Sequence, residues 1–300
     1  MKLNVWVILD RKRGHENQTK ALIESLKKFA DLKVNNFFAS GFLSNFINLF
    51  KKKNDQLIGP DLIIGAGHST HFDILFKKLI HGGKSIVIMR PSIPMLFFDL
   101  CIIPKHDHNA NRNNIYQTNG PINNIVNKKK QSKSMGLILV GGPSKHYIWD
   151  SMFVINAIQK IFEKNKNLKI IVGASRRTPL EFYNQWKEIF KNKIKIYNPD
   201  DVSKDWLRSK VEKCKYAWVT QDSISMTYEL INAGSYLTCI ELQQKTKKFH
   251  ALYQELFEEK KLNFISKQNK DLLITHNRFS EADKSAEYIY NKFIKNKIGK

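Results

Sequence analysis

Short apolar runs separated by longer amphipathic stretches recur along this chain, and that alternation limits the folds open to it. Leu3–Leu9 reads as a strand, Glu16–Phe29 as a helix, Leu32–Phe38 as a second strand and Phe42–Phe50 as a second helix. "DLIIGAG" (Asp61–Gly67) and "KSIVIMR" (Lys84–Arg90) are almost wholly apolar, as strands buried on both faces are, with Phe72–Ile80 as a helix between them. "DLCIIP" and "IYQTNG" add two short strands. After Gly120-Pro121 comes "PINNIVNKKKQSKS", which is polar and aperiodic. The alternation restarts at "MGLILVGGPS", with strands at Leu168–Gly173, Lys193–Tyr197, Tyr216–Thr220 and Tyr236–Leu242. Ser280–Lys295 reads as a helix. The expected architecture is α/β, with two Rossmann-like doubly wound domains facing across a cleft. The first spans 1–122 and the second 135–279, with a linker at 123–134 and a C-terminal helix in 280–300 that packs back on the first domain.

Charge and cysteine content narrow the class. Lys and Arg number 50 against 27 Asp and Glu, a balance of +23. Lysine is spread through nearly every predicted helix, and runs such as Lys51–Lys53 and Lys128–Lys130 fall at element ends or in the linker. The excess therefore reads first as solvated surface, then as attachment to acidic membranes. Nucleic acid is disfavoured because no reader motif is present. Cys101, Cys214 and Cys239 are scattered, which fits a reducing compartment without a disulfide framework. No apolar run approaches the ~20 residues needed to span a bilayer. "KLNVWVILDRKR" has its basic cluster after the apolar run, so it reads as a first strand and not a signal peptide. The expected address is cytoplasmic, with peripheral membrane contact left open.

Ligands of open parallel sheets gather where strand C-termini meet helix N-termini. In the first half these edges carry Gly14, His15, Glu16 and Asn17, then His68 in "GAGHSTH", then Arg90. In the second half Gly141, Gly142, Ser144 and Lys145 combine small residues with a hydroxyl and a cation. Ser175, Arg176 and Arg177 add two guanidiniums, and Ser223 and Ser225 open a helix that carries Glu229. Free N–H groups at a helix start suit phosphate oxygens, and a carboxylate further along suits a vicinal diol such as ribose. Ser, Thr and Gly-Pro also cap helices without any ligand. The three edges together favour a nucleotide-diphosphate clamp. His68 with His71, and His106 with Asp107 and His108, could bind metal, but neither set fits a complete site, and no metal or cofactor is expected.

"GHENQ", "GAGHSTH", "RPSIPMLFFDLCIIPKHD", "TNGP", "VGGPSKHY", "SRRTP" and "DSISM" occur in an order that resembles the mitochondrial-fission Elm family, with weaker similarity in "TKKFHALYQEL". The segment Thr220–Leu242 is similar to the nucleotide-sugar segment of the peptidoglycan N-acetylglucosaminyltransferase and its two-domain relatives. This resemblance implies a glycosyltransferase-B-like fold without fixing a reaction. His15 resembles the histidine that several such enzymes place near the reacting centre. Two departures stand out: the first loop keeps one glycine, Gly14, and Asp222 stands where those enzymes often have glycine. Two functions are then open. One is a transferase moving a sugar from a nucleotide-diphosphate donor to an unknown acceptor, with Arg176, Arg177 and Lys145 on the leaving group. The other is a nonenzymatic adaptor that recruits a partner or touches membrane.

Overall fold

The computed structural model describes residues 2–40, 59–107, 112–125, 127, 131–191, 193–203, 205–267 and 280–295. The helix expected at Phe42–Phe50, both lysine runs and His108 lie outside them. The chain divides into two compact units, Met1–Asn124 with Phe279–Lys300, and Ile125–Arg278.

The first unit holds a six-stranded parallel sheet. Its elements in chain order are β1 (Leu3–Leu9), α1 (Arg13–Leu26), β2 (Leu32–Phe38), β3 (Leu62–Ala66), α2 (His71–His81), β4 (Lys84–Ile88), β5 (Leu100–Pro104) and β6 (Ile115–Thr118). The strand order is β2-β1-β3-β4-β5-β6. β1 shows why the sheet is buried on both sides: Leu3, Val5 and Val7 join one apolar cluster, Trp6 and Ile8 another on the opposite face. The chain ends by returning to this unit.

The second unit repeats the plan with β7 (Ser132–Val140), α3 (Ser151–Lys164), β8 (Lys169–Ala174), α4 (Leu180–Phe190), β9 (Ile196–Tyr197), α5 (Trp206–Lys213), β10 (Cys214–Thr220), α6 (Ile224–Ala233), β11 (Tyr236–Ile240), α7 (His250–Glu258) and β12 (Asn263–Phe264). The order is β12-β11-β10-β7-β8-β9, again parallel. β7 begins inside the polar stretch that reads as linker, because Ser132 pairs with Cys214 before the apolar run starts. One continuous core runs through this unit, from Leu137 and Leu139 to Val219, Leu237 and Phe264.

The closing helix α8 (Glu281–Ile289) sets Ala282, Ala286 and Ile289 into the first unit's core beside Leu22 and Leu26 of α1. Ser280 caps it by accepting from the Asp283 amide at 3.2 Å. Lys28 donates to Asp283 at 2.5 Å, and the Asn119 amide donates to Glu281 at 3.0 Å. A single π-type turn, Tyr290–Ile294, follows.

In both sheets the order reverses beside the unit's first strand, between β1 and β3 and between β7 and β10. In open parallel sheets the ligands gather beside such a reversal, at the strand C-termini. His15 follows β1 and His68 follows β3, while Gly141, Gly142 and Ser223 follow β7 and β10, beside those two points.

Candidate functional site

In the second unit, the loops after β7, β8 and β10 are knitted together. Gly141 N–H donates to Thr220 Oγ1 at 2.7 Å and Gly142 N–H to Asp222 Oδ2 at 3.1 Å. Ser175 and Thr178 hydroxyls both donate to the Gly141 carbonyl, at 2.9 and 2.5 Å. Arg177 Nη1 donates to the carbonyls of Gly142 and Pro143, while Nη2 donates to Asp222 Oδ2 at 2.6 Å and Ser223 Oγ at 3.0 Å. The two glycines make this possible. A Cβ on Gly141 would sit 2.2 Å from Asp222 Oδ2, and one on Gly142 2.0 Å from the Arg177 carbonyl. Their missing side chains admit the protein's own atoms, and both amides are already donated within the fold. Arg177 is likewise neutralised by Asp222, the residue standing in the place of a glycine.

Three groups at this edge stay open. α6 follows immediately, and its first intrahelical bond runs from Thr227 N–H to the Ser223 carbonyl. The N–H groups of Ile224, Ser225 and Met226 have no acceptor among the described residues. Ser223 makes no cap bond because its hydroxyl donates to Asp222 and accepts from Arg177. One and a half turns along, Glu229 has no hydrogen-bond or ion-pair partner among the described residues, and burial pushes its carboxyl up to about 7. A desolvated carboxylate can accept from hydroxyls, and a helix start with free amides can donate to an anion. Gln221 fixes the turn that leads into α6, accepting from Leu242 N–H through its side chain and from Tyr253 Oη through its carbonyl.

The remaining residues of this set disperse. Ser144 Oγ accepts from the amides of His146 and Tyr147, which shapes its own loop. Arg176 is exposed and stands 3.8 Å from Asp200. Lys145 and Ser225 are exposed, without side-chain partners among the described residues.

In the first unit, His15 near the start of α1 meets Asp10 at the end of β1, Nδ1 to Oδ2 at 2.6 Å. Asp10 is fully buried, and it also accepts from the Lys12 amide and, at 3.4 Å, from Ser69 Oγ. A carboxylate on Nδ1 holds the proton there and leaves Nε2 as the basic nitrogen. Gly67 adopts φ +93°, and a Cβ on it would strike His15 Nδ1 at 2.2 Å, so this loop closes tightly only with glycine. Beyond it, His68 Nδ1 lies 2.7 Å from Ser92 Oγ, which lies 3.3 Å from His71 Nδ1. Burial, aided by His68, lowers His71 to about 4 and keeps it neutral. Arg90 is exposed and donates to the Asp107 carbonyl at 3.3 Å. Gly14 faces open space, Glu16 sits in the first turn of α1 and Asn17 is exposed. Among the described residues no group of three or more His, Cys, Asp or Glu side chains is placed to hold a metal ion.

Asp10, Asp222, Thr178 and Ser92 are the partners that sequence reading missed. Asp10 closes a strand five residues before His15, a signal that was available. The tie between Arg177 and Asp222 spans 45 residues and needed coordinates.

A family model described as mitochondrial fission ELM1 matches residues 13–293. An uncharacterized protein, RP120, of Rickettsia prowazekii is 26% identical, over 96% of this chain and 98% of that protein. Among solved structures, the UDP-GlcNAc 2-epimerase of Methanocaldococcus jannaschii aligns with TM-score 0.56 at 15% identity, over 97% of this chain and 99% of that one. A putative UDP-N-acetylglucosamine 2-epimerase of Listeria monocytogenes gives 0.56 at 13%, over 97% and 89%. The Neisseria meningitidis epimerase bound to UDP-GlcNAc gives 0.53 at 9%, over 98% and 93%. At such identities the likeness establishes the fold, a glycosyltransferase-B-like pair of α/β domains.

Proposed function

The chain belongs to the mitochondrial fission ELM1 family, and from that premise we propose that its second unit binds a nucleotide-diphosphate sugar and that the protein transfers the sugar to an acceptor hydroxyl. The observation that carries this reading is Glu229, a desolvated carboxylate without a partner among the described residues. On this reading Glu229 accepts from the ribose hydroxyls while the amides of Ile224, Ser225 and Met226 face phosphate. Epimerases of this fold with UDP-GlcNAc in their names support a nucleotide sugar as the ligand class.

The chemistry balances with groups present. The acceptor oxygen attacks the anomeric carbon and the bond from that carbon to the diphosphate oxygen breaks. The nucleoside diphosphate leaves with the bonding pair, and the acceptor's proton passes to His15 Nε2. Asp10 orients the imidazole and stabilises its cation. Arg177 has a different role from that expected: tied to Asp222, it holds the loops in place and leaves charge stabilisation to helix amides. Titration calorimetry with UDP-, ADP- and GDP-sugars tests the reading. Micromolar binding to one class, lost in Glu229→Ala, is the expected result; no binding of any donor at millimolar concentration ends it.

A second reading, an adaptor that touches acidic membrane, is favoured by a different feature. Leu96 and Phe97 are 66% and 49% exposed in a loop pinned by Asn114, which donates to the carbonyls of Met95 and Phe98. With a net charge of +23, this apolar tip suits an anionic surface. Co-sedimentation with phosphatidylserine vesicles, lost in Leu96→Asp/Phe97→Asp, supports it; no sedimentation at low salt removes it.

A further inference from the structure

The two histidines of "GAGHSTH" take no part in the chemistry proposed above, yet a residue from another loop joins them. His68 Nδ1 lies 2.7 Å from Ser92 Oγ, and the same oxygen lies 3.3 Å from His71 Nδ1. A hydroxyl has one proton, so it donates to one imidazole and accepts from the other, and the three side chains form a directed chain. Both Nδ1 atoms are engaged in it and are not open to a metal. His71, at the start of α2, is buried, packs edge-on to Phe98 at 5.7 Å and stays neutral. His68 and Ser92 are exposed. The chain is thus anchored at His71 and ends in Nε2 of His68, which has no hydrogen-bond partner among the described residues.

At this edge three adjacent strands leave the sheet through left-handed backbone. Arg11 after β1 and Met89 after β4 have φ +62° and +74°, and Gly67 after β3 has +93°. Residues other than glycine keep such conformations only where the surroundings impose them, and they cluster around ligands. At Met89 the N–H donates to the Ile102 carbonyl at 2.8 Å, and Gln18 of α1 donates to Sδ at 3.3 Å. Arg90 is tied to the Asp107 carbonyl and Pro91 is buried, so every residue leading to Ser92 is held.

The chain also stands beside the Asp10–His15 pair. Both neighbours of His68 approach that pair: a Cβ on Gly67 would lie 2.2 Å from His15 Nδ1, and Ser69 Oγ donates to Asp10 Oδ2 at 3.4 Å. Two imidazoles, each held through Nδ1 by a partner of its own, therefore share one sheet edge.

We propose that His68 is a second acceptor-binding residue of the first unit, with Ser92 and His71 as its positioning residues, and that the acceptor is a polyol or sugar. One of its hydroxyls gives its proton to His15 Nε2, and another is held by His68 Nε2. A hydroxyl fits because it both donates and accepts, and so meets either tautomer of His68; an anion needs Nε2–H and a cation needs Nε2 bare. The inference rests on the transferase reading of His15.

Imidazole nitrogen NMR of the whole protein, which reads the tautomer of each histidine, tests it. Glycerol, inositol, glucose and N-acetylglucosamine are titrated, with propanol as the control carrying a single hydroxyl and the UDP-, ADP- and GDP-sugars alongside. Wild type is compared with Ser92→Ala and Ser92→Thr, melting curves serving as a check on folding. The expected result is one fixed tautomer at His68, and Nε2 signals of His15 and His68 that move together with a polyol or sugar and not with propanol. Ser92→Ala should mix the His68 tautomers and weaken polyol binding about tenfold, and Ser92→Thr should restore both. Polyol binding at both histidines, with no nucleotide sugar bound, keeps the site and sinks the transferase reading. Nucleotide-sugar binding with no polyol moving His68 overturns the site and leaves the donor reading standing. An unchanged His68 tautomer and polyol affinity in a folded Ser92→Ala protein overturns the positioning chain. A polyol that moves His68 and not His15 overturns the shared acceptor, and binding of neither ligand class ends both readings.

Discussion

Arg177 Nη2 lies 2.6 Å from Oδ2 of a wholly buried Asp222, which joins the loop after β8 to the turn that opens α6. Arg177 is 44% exposed, so the pair is half in water, yet its carboxylate is not. Removing the cation strands a buried charge, the costly direction of change. Arg177→Ala should destabilise the protein by about 3 kcal/mol, and Arg177→Ala/Asp222→Asn by clearly less. Urea unfolding of the cycle measures the coupling. Equal destabilisation by single and double variants contradicts the tie.

Glu229 predicts opposite movements of stability and binding. Its folded pKa, about 7, lies above the unfolded carboxylate value, so the folded state binds more protons between roughly pH 4.5 and 7. Stability contributed by this group is therefore highest below pH 4.5 and falls as pH rises through 7. Glu229→Gln should raise stability at pH 8 by about 2 kcal/mol and flatten that fall. Thermal melts from pH 5 to 8.5 check both.

His71 gives the reverse profile. Burial holds its folded pKa near 4, below the ordinary 6.5. The unfolded chain then binds more protons between those values, and stability is lost as pH falls through that window. His71→Gln should blunt acid destabilisation between pH 6.5 and 4, a change that melts in acetate and citrate buffers resolve.

The fold was largely legible because both sheets are parallel and buried on two faces, so strands such as Leu3–Leu9 stand out as apolar blocks. β12 was not: two residues, Asn263 and Phe264, give no periodicity and pair only because β11 offers an edge. At the site, position was legible and role was not. Gly141 and Arg177 stand in loops that follow strands, and His15 and Glu229 on the helices that come next. Whether an arginine faces a ligand or its own protein depends on Asp222, and the glycines at 141 and 142 admit side chain and backbone from distant loops.

The closing helix tests the first unit. Ile289 is fully buried against α1, and Ile289→Ala should cost about 3 kcal/mol. Asp283 is held below the usual carboxylate range because bonds from Lys28, Ser25 and Ser280 outweigh its burial. Its stabilisation is present above the unfolded carboxylate pKa and lost as pH falls below it. Lys28→Ala should remove part of that acid sensitivity without altering nucleotide binding.

Asp10 and His15 predict a split in kinetics once a donor and acceptor are in hand. Asp10→Asn keeps the hydrogen bond but leaves the imidazole free to take the wrong tautomer. Turnover should fall by roughly 100-fold or more while donor affinity stays the same. An unchanged kcat removes His15 from the chemistry.

The most direct measurement is calorimetric titration of wild type and Glu229→Gln with UDP-GlcNAc and UDP at pH 8. The account predicts binding by wild type and at least a tenfold loss in a variant that melts higher than wild type. Equal affinity in the two proteins, or a variant that binds normally and melts lower, contradicts it.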